Sequence, residues 1–448
     1  MVITLLLLCI FLILLCHYLI HHGRFWKLID QIPGPPPLLI IGNVLLIGTC
    51  PVEEQLKTLE KYLKIYYPVA KLWIFNHAGV SASHPDDVQT ILSNSKEHIG
   101  KGFVYTFLNP WLGTGLLTSE GTKWHERRKM LTPAFHFNML KQFVDIFIEE
   151  GNYMTQCLKD IEGSTVNDLI FFTSHHTLNV ICETAMGISL KDMGAFQQQY
   201  RKTVYEITKL ILARLMSPWF YSDMIFALSP MGKRQAKNLK ILHGFTEKGY
   251  ETTAISISFT ILLLAEHKNI QNCVRREVSA VMLENNGKLT MTAINNMPYL
   301  ERCLKESLRL YPSVPNIMRV ASEDLKIQSY IVPSGAILYI PIKFIHRNPD
   351  FWPNPDVFDP DRFLPENIQN RHPFSYLPFS AGARNCIGQR FAMLELKAII
   401  ATLVHNFYLE PIDYLKDLRF RLDLVTRVAD PIRVKFIPIE QMQPFKAN

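Results

Sequence analysis

The residues best suited to chemistry lie in a run of ten, FSAGARNCIG, from Phe379 to Gly388. Cys386 precedes an apolar helical pattern, so backbone N–H groups at the start of that helix are expected to lower the pKa of its thiol. Gly382 and Gly388 would let the backbone approach a flat ligand, Arg384 could reach a carboxylate, and Phe379 could shield the sulfur. A thiolate placed here can bind iron. The alternative is a buried cysteine that only packs ahead of an apolar helix.

Two other motifs put a pair of polar side chains on one helical face. Glu306 and Arg309 lie three residues apart, and Trp124 and Arg128 lie four apart. A Glu-x-x-Arg pair is by itself usually a solvated ion pair of little energetic value. The indole N–H and the guanidinium could donate to a single acidic group, although an amphipathic turn with surface charges has the same pattern.

The framework that must position these residues is predicted to be mainly helical. Apolar periodicity predicts helices at 138–158, 167–186, 297–310 and 389–405. Alternating patterns predict a strand pair at 70–81, a strand near 337–342 and a hairpin at 418–437. The Pro- and Asp-rich residues 348–379 predict a packed meander, since structureless loops of this length are uncommon. We expect one α+β domain, mainly α, over residues 38–448.

Composition excludes several classes of protein. The 448 residues carry 47 Lys+Arg and 40 Asp+Glu, a net charge of +7, and only 19% of residues are charged, which excludes a wholly disordered chain or a coiled coil. No repeat of the length found in solenoids or propellers is present. The mildly basic balance, without Lys/Arg blocks, favours a membrane surface or an acidic partner over nucleic acid. Eight scattered cysteines without a C-x-x-C pair indicate a reducing compartment.

The N-terminal residues are almost continuously apolar. A run of this length matches the ~30 Å hydrocarbon core of a bilayer, so residues 1–22 are predicted to be a single-pass transmembrane anchor. A cleaved signal peptide is the alternative, but a basic n-region and a small-residue cleavage site are missing. Arg24 and Lys27 follow the run, which leaves the remaining chain in the cytosol. The Pro-rich residues 23–37 are expected to be a stiff linker between anchor and domain.

Together these motifs resemble those of the cytochromes P-450, which are haem-thiolate monooxygenases. Phe379-x-x-Gly-x-Arg-x-Cys386-x-Gly388 matches their signature loop, and such a thiolate favours O–O cleavage. Residues 124–135, 346–349 and 358–367 are most similar to family 4, especially its insect members. The resemblance implies haem b and electrons from NADPH through a membrane-bound reductase, with cytochrome b5 as a further donor. It also implies the endoplasmic reticulum membrane, a cytosolic catalytic domain, and substrates among fatty acids, hormones and foreign lipophiles.

The resemblance also implies roles for individual residues. Cys386 would be the iron ligand. Glu306 and Arg309 would pair with an arginine of the meander, Arg362, and this triad would fasten the cysteine loop from beneath the haem. The residues implied to contact the haem propionates are Trp124, Arg128, Arg319 and Arg384.

Residues 249–253, GYETT, resemble the oxygen-activation segment of the long helix that crosses the haem. By this resemblance the Thr252 hydroxyl hydrogen-bonds the oxygen under reduction, while Glu251 conducts protons to it. An ordinary helical threonine would instead bond back to a carbonyl of the preceding turn. The segments that would line the substrate pocket, 103–107, 203–212 and 423–426, are apolar enough for a lipophile.

The chain departs from the family beside this threonine. Over residues 229–268 a helical pattern continues for about 40 residues, well beyond the usual 8–20. By comparison with the family several dozen residues are absent, namely the end of one helix, its successor and the first half of the haem-crossing helix. Lys248 stands where family 4 commonly has a glutamate that forms an ester with the haem, and lysine cannot make that bond. The pattern indicates a splice variant or a mis-joined gene model, with an apparent deletion near 244–249.

Two alternatives to an active monooxygenase follow from these observations. The deletion would open the pocket to water and weaken haem retention, which would leave a catalytically impaired or haem-free membrane protein. A haem-thiolate enzyme that isomerises or dehydrates peroxides would keep the cysteine loop and need not use Thr252.

Overall fold

The computed structural model describes residues 4, 5, 8, 11, 23–38, 41–93, 100–191, 193–243 and 250–439. The predicted anchor at 1–22, apart from residues 4, 5, 8 and 11, and the predicted deletion at 244–249 therefore lie outside the described residues. Within the described ranges, no helix combines the length and the apolar character that a membrane span requires.

The architecture is mainly helical. The α-helices in chain order are α1 Arg24–Asp30, α2 Val44–Gly48, α3 Val52–Ile65, α4 Pro85–Ser93, α5 Phe103–Thr106, α6 Asn109–Leu112, α7 Gly121–Leu131, α8 Phe137–Lys159, α9 Leu169–Met186, α10 Gly194–Leu215, α11 Asp223–Leu228, α12 Pro230–His243, α13 Tyr250–Glu266, α14 Lys268–Glu284, α15 Met291–Asn295, α16 Pro298–Leu310, α17 Ile342–Ile345, α18 Pro365–Ile368 and α19 Gln389–Asn406. The predicted helices at 138–158, 167–186, 297–310 and 389–405 are confirmed as α8, α9, α16 and α19.

The strands form small sheets beside the helices. They are β1 Val69–Ile74, β2 His77–Ala82, β3 Thr165–Val166, β4 Ile317–Val320, β5 Leu325–Ile327, β6 Tyr330–Val332, β7 Ile337–Ile340, β8 Phe407–Pro411, β9 Phe420–Arg421, β10 Arg427–Val428 and β11 Val434–Pro438. One sheet has the order β1-β2-β7-β4, with β2 parallel to β7 and the other neighbours antiparallel. The others have the orders β3-β11-β8, β9-β10 and β5-β6.

The predicted hairpin at 418–437 is only partly correct. Residues 420–428 do form the short β9–β10 hairpin, but β11 pairs with β8, so that Phe436 lies opposite Leu409. An alternating pattern predicts a strand without specifying its partner, and β8 lies directly after a long helix, where the sequence contains no turn signal.

Helix α13 is the centre of the core. Its residues from Thr253 to Ala265 are all buried, and the helix packs against α9, α16, α19 and β8. A helix that is apolar on all sides is expected to be enclosed on all sides. Helix α8 also packs against α19, so the helix that follows the cysteine loop is anchored in the core.

Residues 23–37, predicted to be a linker, are packed onto the domain. They include α1, and Ile29 and Ile32 are fully buried. The Trp26 ring stacks on Trp73 of β1 with 3.9 Å between ring centroids. Residues 33–37 are extended, as their prolines require. The packed domain therefore extends further toward the N-terminus than the predicted boundary at residue 38.

Candidate active site

The cysteine loop is closed by its own backbone. The Cys386 N–H donates to the Phe379 carbonyl at 2.9 Å, and the Asn385 N–H donates to the Gly382 carbonyl at 3.1 Å. Gly382 has φ +70°, and a Cβ at this position would lie 1.9 Å from the carbonyl oxygen of Leu92. Only glycine fits there. The loop thus holds Cys386 in a defined place directly before α19.

The thiol of Cys386 is exposed, yet the protein around it still sets its pKa. Desolvation raises the pKa, while the Gly388 N–H hydrogen bond and the Arg128 charge lower it by less. The prediction of a lowered thiol pKa is therefore wrong for the unliganded side chain, because desolvation outweighs the helix start. A metal cation reverses this balance, since a coordinating thiol is deprotonated outright.

Arg128 contacts the cysteine loop directly. Its Nη1 donates to the Asn385 carbonyl oxygen and its Nη2 to Asn385 Oδ1, each at 2.7 Å. These two bonds join α7 to the residue before Cys386. Asn385 was not among the predicted site residues, because it occupies an unspecified position of the signature loop.

Trp124, Arg319 and Arg384 form a second group beside the loop. The Arg384 guanidinium lies 4.3 Å from the centre of the Trp124 ring and donates to the Ser119 carbonyl at 2.7 Å. Its Nε is buried without a hydrogen-bond partner. Arg319 of β4 is 3% exposed and donates to the Met318 carbonyl at 2.8 Å. Across the described part of the chain, neither arginine has a carboxylate partner within ion-pair distance.

The buried Arg319 and the half-buried Arg384 fit an anionic group bound beside the loop. Taking a charge out of water without a partner costs several kcal/mol. Burial, followed by the charge of Arg319, lowers the pKa of Arg384 to about 10. An anion between the two guanidinium groups would reverse that shift, because an opposite charge favours the charged form.

The side chains of Glu306, Arg309 and Arg362 meet in the core. Glu306 and Arg309 are fully buried, and two hydrogen bonds of 2.7 Å join the carboxylate to Nε and Nη2 of the guanidinium. Arg362 Nε lies 3.2 Å from Glu306 Oε1. Arg309 also donates to the carbonyls of His346 and Pro355, at 2.8 and 2.7 Å. Burial raises the pKa of Glu306, and the Arg309 hydrogen bonds oppose that shift.

Glu251 and Thr252 lie in the first turn of α13, where the helix dipole favours an acidic side chain. Glu251 forms an ion pair with Arg427 of β10, and Arg427 Nε lies 3.5 Å from Asp423. The Thr252 carbonyl accepts a hydrogen bond from Ser313 Oγ at 2.7 Å. The acid predicted to conduct protons is therefore tied to the β9–β10 hairpin.

Sequence reasoning missed a buried polar cluster between α8, α9 and α19. Glu150 accepts from Asn179 Nδ2 at 2.6 Å and lies 2.6 Å from His176 Nδ1. Glu395 is 2% exposed, and burial, then the charge of Glu150, raise its pKa well above the usual range. The side chain of Thr253 opposes this shift by less. Polar residues at core-facing positions of predicted helices were the available signal.

Comparison with known proteins identifies the family. The family model described as cytochrome P-450 matches residues 32–248 and 248–436. The chain belongs to the cytochrome P-450 family. It is 33% identical to cytochrome P-450 4c21 of Blattella germanica, over 91% of this chain and 93% of the relative. It is 34% identical to cytochrome P-450 4c3 of Drosophila melanogaster (97% and 94%) and 32% identical to cytochrome P-450 4V2 of Homo sapiens (92% and 91%).

Membership in the cytochrome P-450 family confirms several predictions. The resemblance to family 4, the mainly helical fold of this family and the assignment to the monooxygenase class of oxidoreductases are confirmed, and the family cofactor is haem. Haem carries two propionates, so it fits the cation group of Arg319 and Arg384. Haem iron also fits the single thiol that the closed loop presents.

The match to the cytochrome P-450 family divides at Lys248. The alignment with the Drosophila relative has 506 positions, more than the 448 residues of this chain, so the relative contains residues without a counterpart here. The division lies directly before the GYETT segment.

Glu301 of α16 ties that helix to α19, which follows the cysteine loop. Its carboxylate lies 2.6 Å from Lys397 Nζ and 2.7 Å from Lys305 Nζ. Burial alone would raise the pKa of Glu301, but the hydrogen bonds and charges of the two lysines outweigh it and lower the pKa to about 2.

The Glu301→Gln variant is expected to lower stability at pH 7 by about 1 kcal/mol, since the pair is partly exposed and screened by solvent. A lowered folded-state pKa stabilises the fold above the unfolded value of about 4.3, and this stabilisation is lost as the pH falls toward 2. Urea unfolding of the wild type and the variant from pH 7 to pH 3 measures their free energies of unfolding. The difference between the two free energies should become smaller below about pH 4.3. A difference that does not change with pH would contradict this role.

Proposed function

We propose that the protein is a membrane-associated haem-thiolate monooxygenase that inserts one oxygen atom of O2 into a lipophilic substrate. The observation that carries the proposal is the closed loop, which presents Cys386 beside the buried Arg319 and the half-buried Arg384. Neither arginine has a carboxylate partner among the described residues. When bound, haem b activates O2, so that one oxygen atom enters the substrate and the other leaves as water.

In this proposal each residue of the loop region has a separate task. Cys386 is the iron ligand. Arg319 and Arg384, with Trp124 beneath the Arg384 guanidinium, hold the propionates. Arg128 does not need to contact the haem, because its two bonds to Asn385 position the loop that carries the ligand.

An apolar cluster supports a lipophilic substrate, such as a fatty acid, a hormone or a foreign lipophile. The three segments predicted to line the pocket come together there: Phe107 and Ile207 are buried in the cluster, and Leu424 packs against it. Burial of an apolar substrate surface against such side chains is favourable by ~25 cal/mol per Å².

The surface around the loop supports electron delivery from NADPH through a reductase or cytochrome b5. An open cavity of about 430 Å³ next to Phe379 is lined by Lys305, Arg390 and Lys397 and by Glu301. Glu301 pairs with the two lysines, so the lining keeps a net positive charge. Lys129 is exposed on α7. Positive charge of this kind steers an acidic donor toward the loop.

Exposed apolar side chains on α11 and the turn before it support contact with membrane lipid. Trp219, Met224 and Leu228 are 63%, 73% and 74% exposed. Such side chains suit the boundary of a bilayer. We propose the endoplasmic reticulum membrane, with the domain in the cytosol and the predicted anchor at 1–22 spanning the bilayer.

A second candidate is a catalytically impaired or haem-free membrane protein. The division of the family match at Lys248 and the unmatched residues of the Drosophila relative favour it. Loss of the first half of the haem-crossing helix would remove apolar cover from the pocket.

The reduced carbon-monoxide difference spectrum of the full chain decides between these candidates. The monooxygenase is expected to show a thiolate-type Soret band and, with a reductase, NADPH-dependent consumption of O2. Without that band the second candidate is correct. A band without NADPH-dependent consumption would instead favour an enzyme that isomerises or dehydrates peroxides.

The Thr252→Ala variant is expected to uncouple the reaction. Glu251 and Thr252 are the two residues proposed to deliver protons. Because Glu251 forms an ion pair with Arg427, the Thr252 hydroxyl is the group that remains to donate a proton to the oxygen under reduction. Its loss should lower product formed per NADPH by roughly tenfold or more, while O2 consumption continues and yields hydrogen peroxide. Paired measurements of NADPH, product and peroxide test this.

Ser258→Ala is the matched control, because Ser258 lies on the same helix and its hydroxyl donates to the Ala254 carbonyl at 2.8 Å. It should leave the coupling unchanged. Equal coupling in the wild type and Thr252→Ala would remove Thr252 from the proton path.

A further inference from the structure

We propose that His346 is a positioning residue that transmits the geometry of the Glu306–Arg309 pair to the cysteine loop. His346 is fully buried and follows α17, in a segment for which the proposed function has no task. The inference rests on the proposed function, because the loop that His346 supports carries the iron ligand.

The two ring nitrogens of His346 each have a partner with a fixed role. Nδ1 lies 3.1 Å from the carbonyl oxygen of Arg309, which can only accept, and Nε2 lies 2.7 Å from the backbone N of Leu377, which can only donate. The imidazole is therefore neutral, with its proton on Nδ1. Burial, the largest cause, lowers the pKa of His346 to about 3, which agrees with this tautomer.

From Leu377 a short series of hydrogen bonds leads to the ligand residue. The Leu377 carbonyl accepts from the Ser380 N–H at 3.0 Å, and the Phe379 carbonyl accepts from the Cys386 N–H at 2.9 Å. Ser380 has φ +61°, a left-handed conformation that a residue with a side chain adopts only when its surroundings enforce it. His346 thus fixes the start of the turn whose end is Cys386.

At its other end His346 is bound to Arg309 twice. Arg309 Nη1 donates to the His346 carbonyl at 2.8 Å, and the Arg309 carbonyl accepts from Nδ1. The imidazole also stacks on Tyr376, with 5.3 Å between ring centroids. The ring cannot turn without breaking both of its hydrogen bonds, so a shift of Arg309 is passed to the loop.

Hydrogen–deuterium exchange of the full chain without added haem tests this role. His346→Phe keeps a ring that can stack but removes both nitrogens, which leaves the Leu377 N–H unpaired. Exchange over residues 377–388 is expected to become roughly tenfold faster, while exchange in α13 stays unchanged. His346→Gln, which can still accept near the place of Nε2, should keep most of the protection.

His175→Phe is the matched control. His175 lies on α9, and burial, then the charge of His176, lower its pKa to about 4. Its change to phenylalanine should leave exchange over 377–388 unchanged. If His346→Phe does not fold, His346→Asn replaces it, since asparagine is too short to reach Leu377.

Unchanged exchange over 377–388 in His346→Phe would overturn the proposal. An equal acceleration in α13 would also overturn it, because it would show only a loss of overall stability. Equal exchange over residues 377–388 in His346→Gln and His346→Asn would also overturn the proposal, because only glutamine is long enough to reach the Leu377 N–H. After haem is added, His346→Phe should show a smaller thiolate fraction; a wild type without the thiolate band would contradict the proposed function and leave the exchange comparison valid.

Discussion

The Cys386→Ser variant is expected to lose the thiolate-type Soret band of the reduced carbon-monoxide complex and to lose monooxygenase activity by roughly 10³-fold or more. A serine hydroxyl does not ionise in this environment and cannot supply the electron density that a thiolate gives to iron. Because the loop is closed by backbone bonds from Cys386 and Asn385, the change should leave its fold intact. Spectra and product formation, measured on the same preparations, test both effects.

Cys273→Ser is the control for this prediction. Cys273 lies on α14, outside the cysteine loop, and its sulfur is 3.1 Å from Arg276 Nη2. It should keep both band and activity. If Cys386→Ser retained a thiolate spectrum, another cysteine would be the ligand.

The cysteine loop could be predicted because its determinants are contiguous. Gly382 is needed for a positive φ and a close approach to the backbone of Leu92, and both requirements act within one short segment. The Glu306–Arg309 pair was likewise visible as a helical spacing. Its third member, Arg362, came only from the family resemblance, since the meander has no periodicity from which a contact can be inferred.

The contacts that sequence reasoning did not find join residues far apart in the chain. Arg128 and Asn385 are separated by 257 positions, and Glu251 and Arg427 by 176. Neither pair has a local pattern, because each is created by the packing of one element on another. The pairing of β11 with β8 belongs to the same class.

The direction in which the pKa of the Cys386 thiol is shifted could not be predicted from the sequence, for a different reason. A helix start lowers the pKa of Cys386 and desolvation raises it, and the sequence contains only the first of these. Their balance depends on how closely the protein surrounds the sulfur. The same reasoning applies to Glu395, whose helical position predicts burial but not a carboxyl that burial keeps neutral.

The described part of α13 bears on the apparent deletion. The helix is buried from Thr253 to Ala265, so nearly all of it is packed in the core. The family match divides before this helix. The elements that hold the cysteine loop, namely α7, α16, α17 and α19, all lie outside the residues at the division, so a deletion at Lys248 would affect the roof of the pocket more than the iron site. Haem binding and catalysis are therefore expected to be separable in this chain.

The Arg309→Met variant is expected to lower the free energy of unfolding by about 3–5 kcal/mol and to abolish stable haem incorporation. The Arg309 guanidinium donates hydrogen bonds to both oxygens of Glu306 and to the carbonyls of His346 and Pro355. Its removal leaves the fully buried Glu306 carboxylate and the carbonyls of His346 and Pro355 without that donor. Urea unfolding of the chain without haem, followed by haem titration, measures the two effects separately.

An exposed pair provides the control, because its geometry is similar and its surroundings are not. Arg419 forms a bidentate pair with Asp430, and both side chains are more than half exposed. Arg419→Met should change neither unfolding nor haem binding, since solvent replaces the lost contacts. The double variant Glu306→Gln with Arg309→Met should be more stable than Arg309→Met alone, because it no longer buries a carboxylate that has lost its bidentate partner. A single variant that unfolds like the wild type would show that the triad does not stabilise the loop.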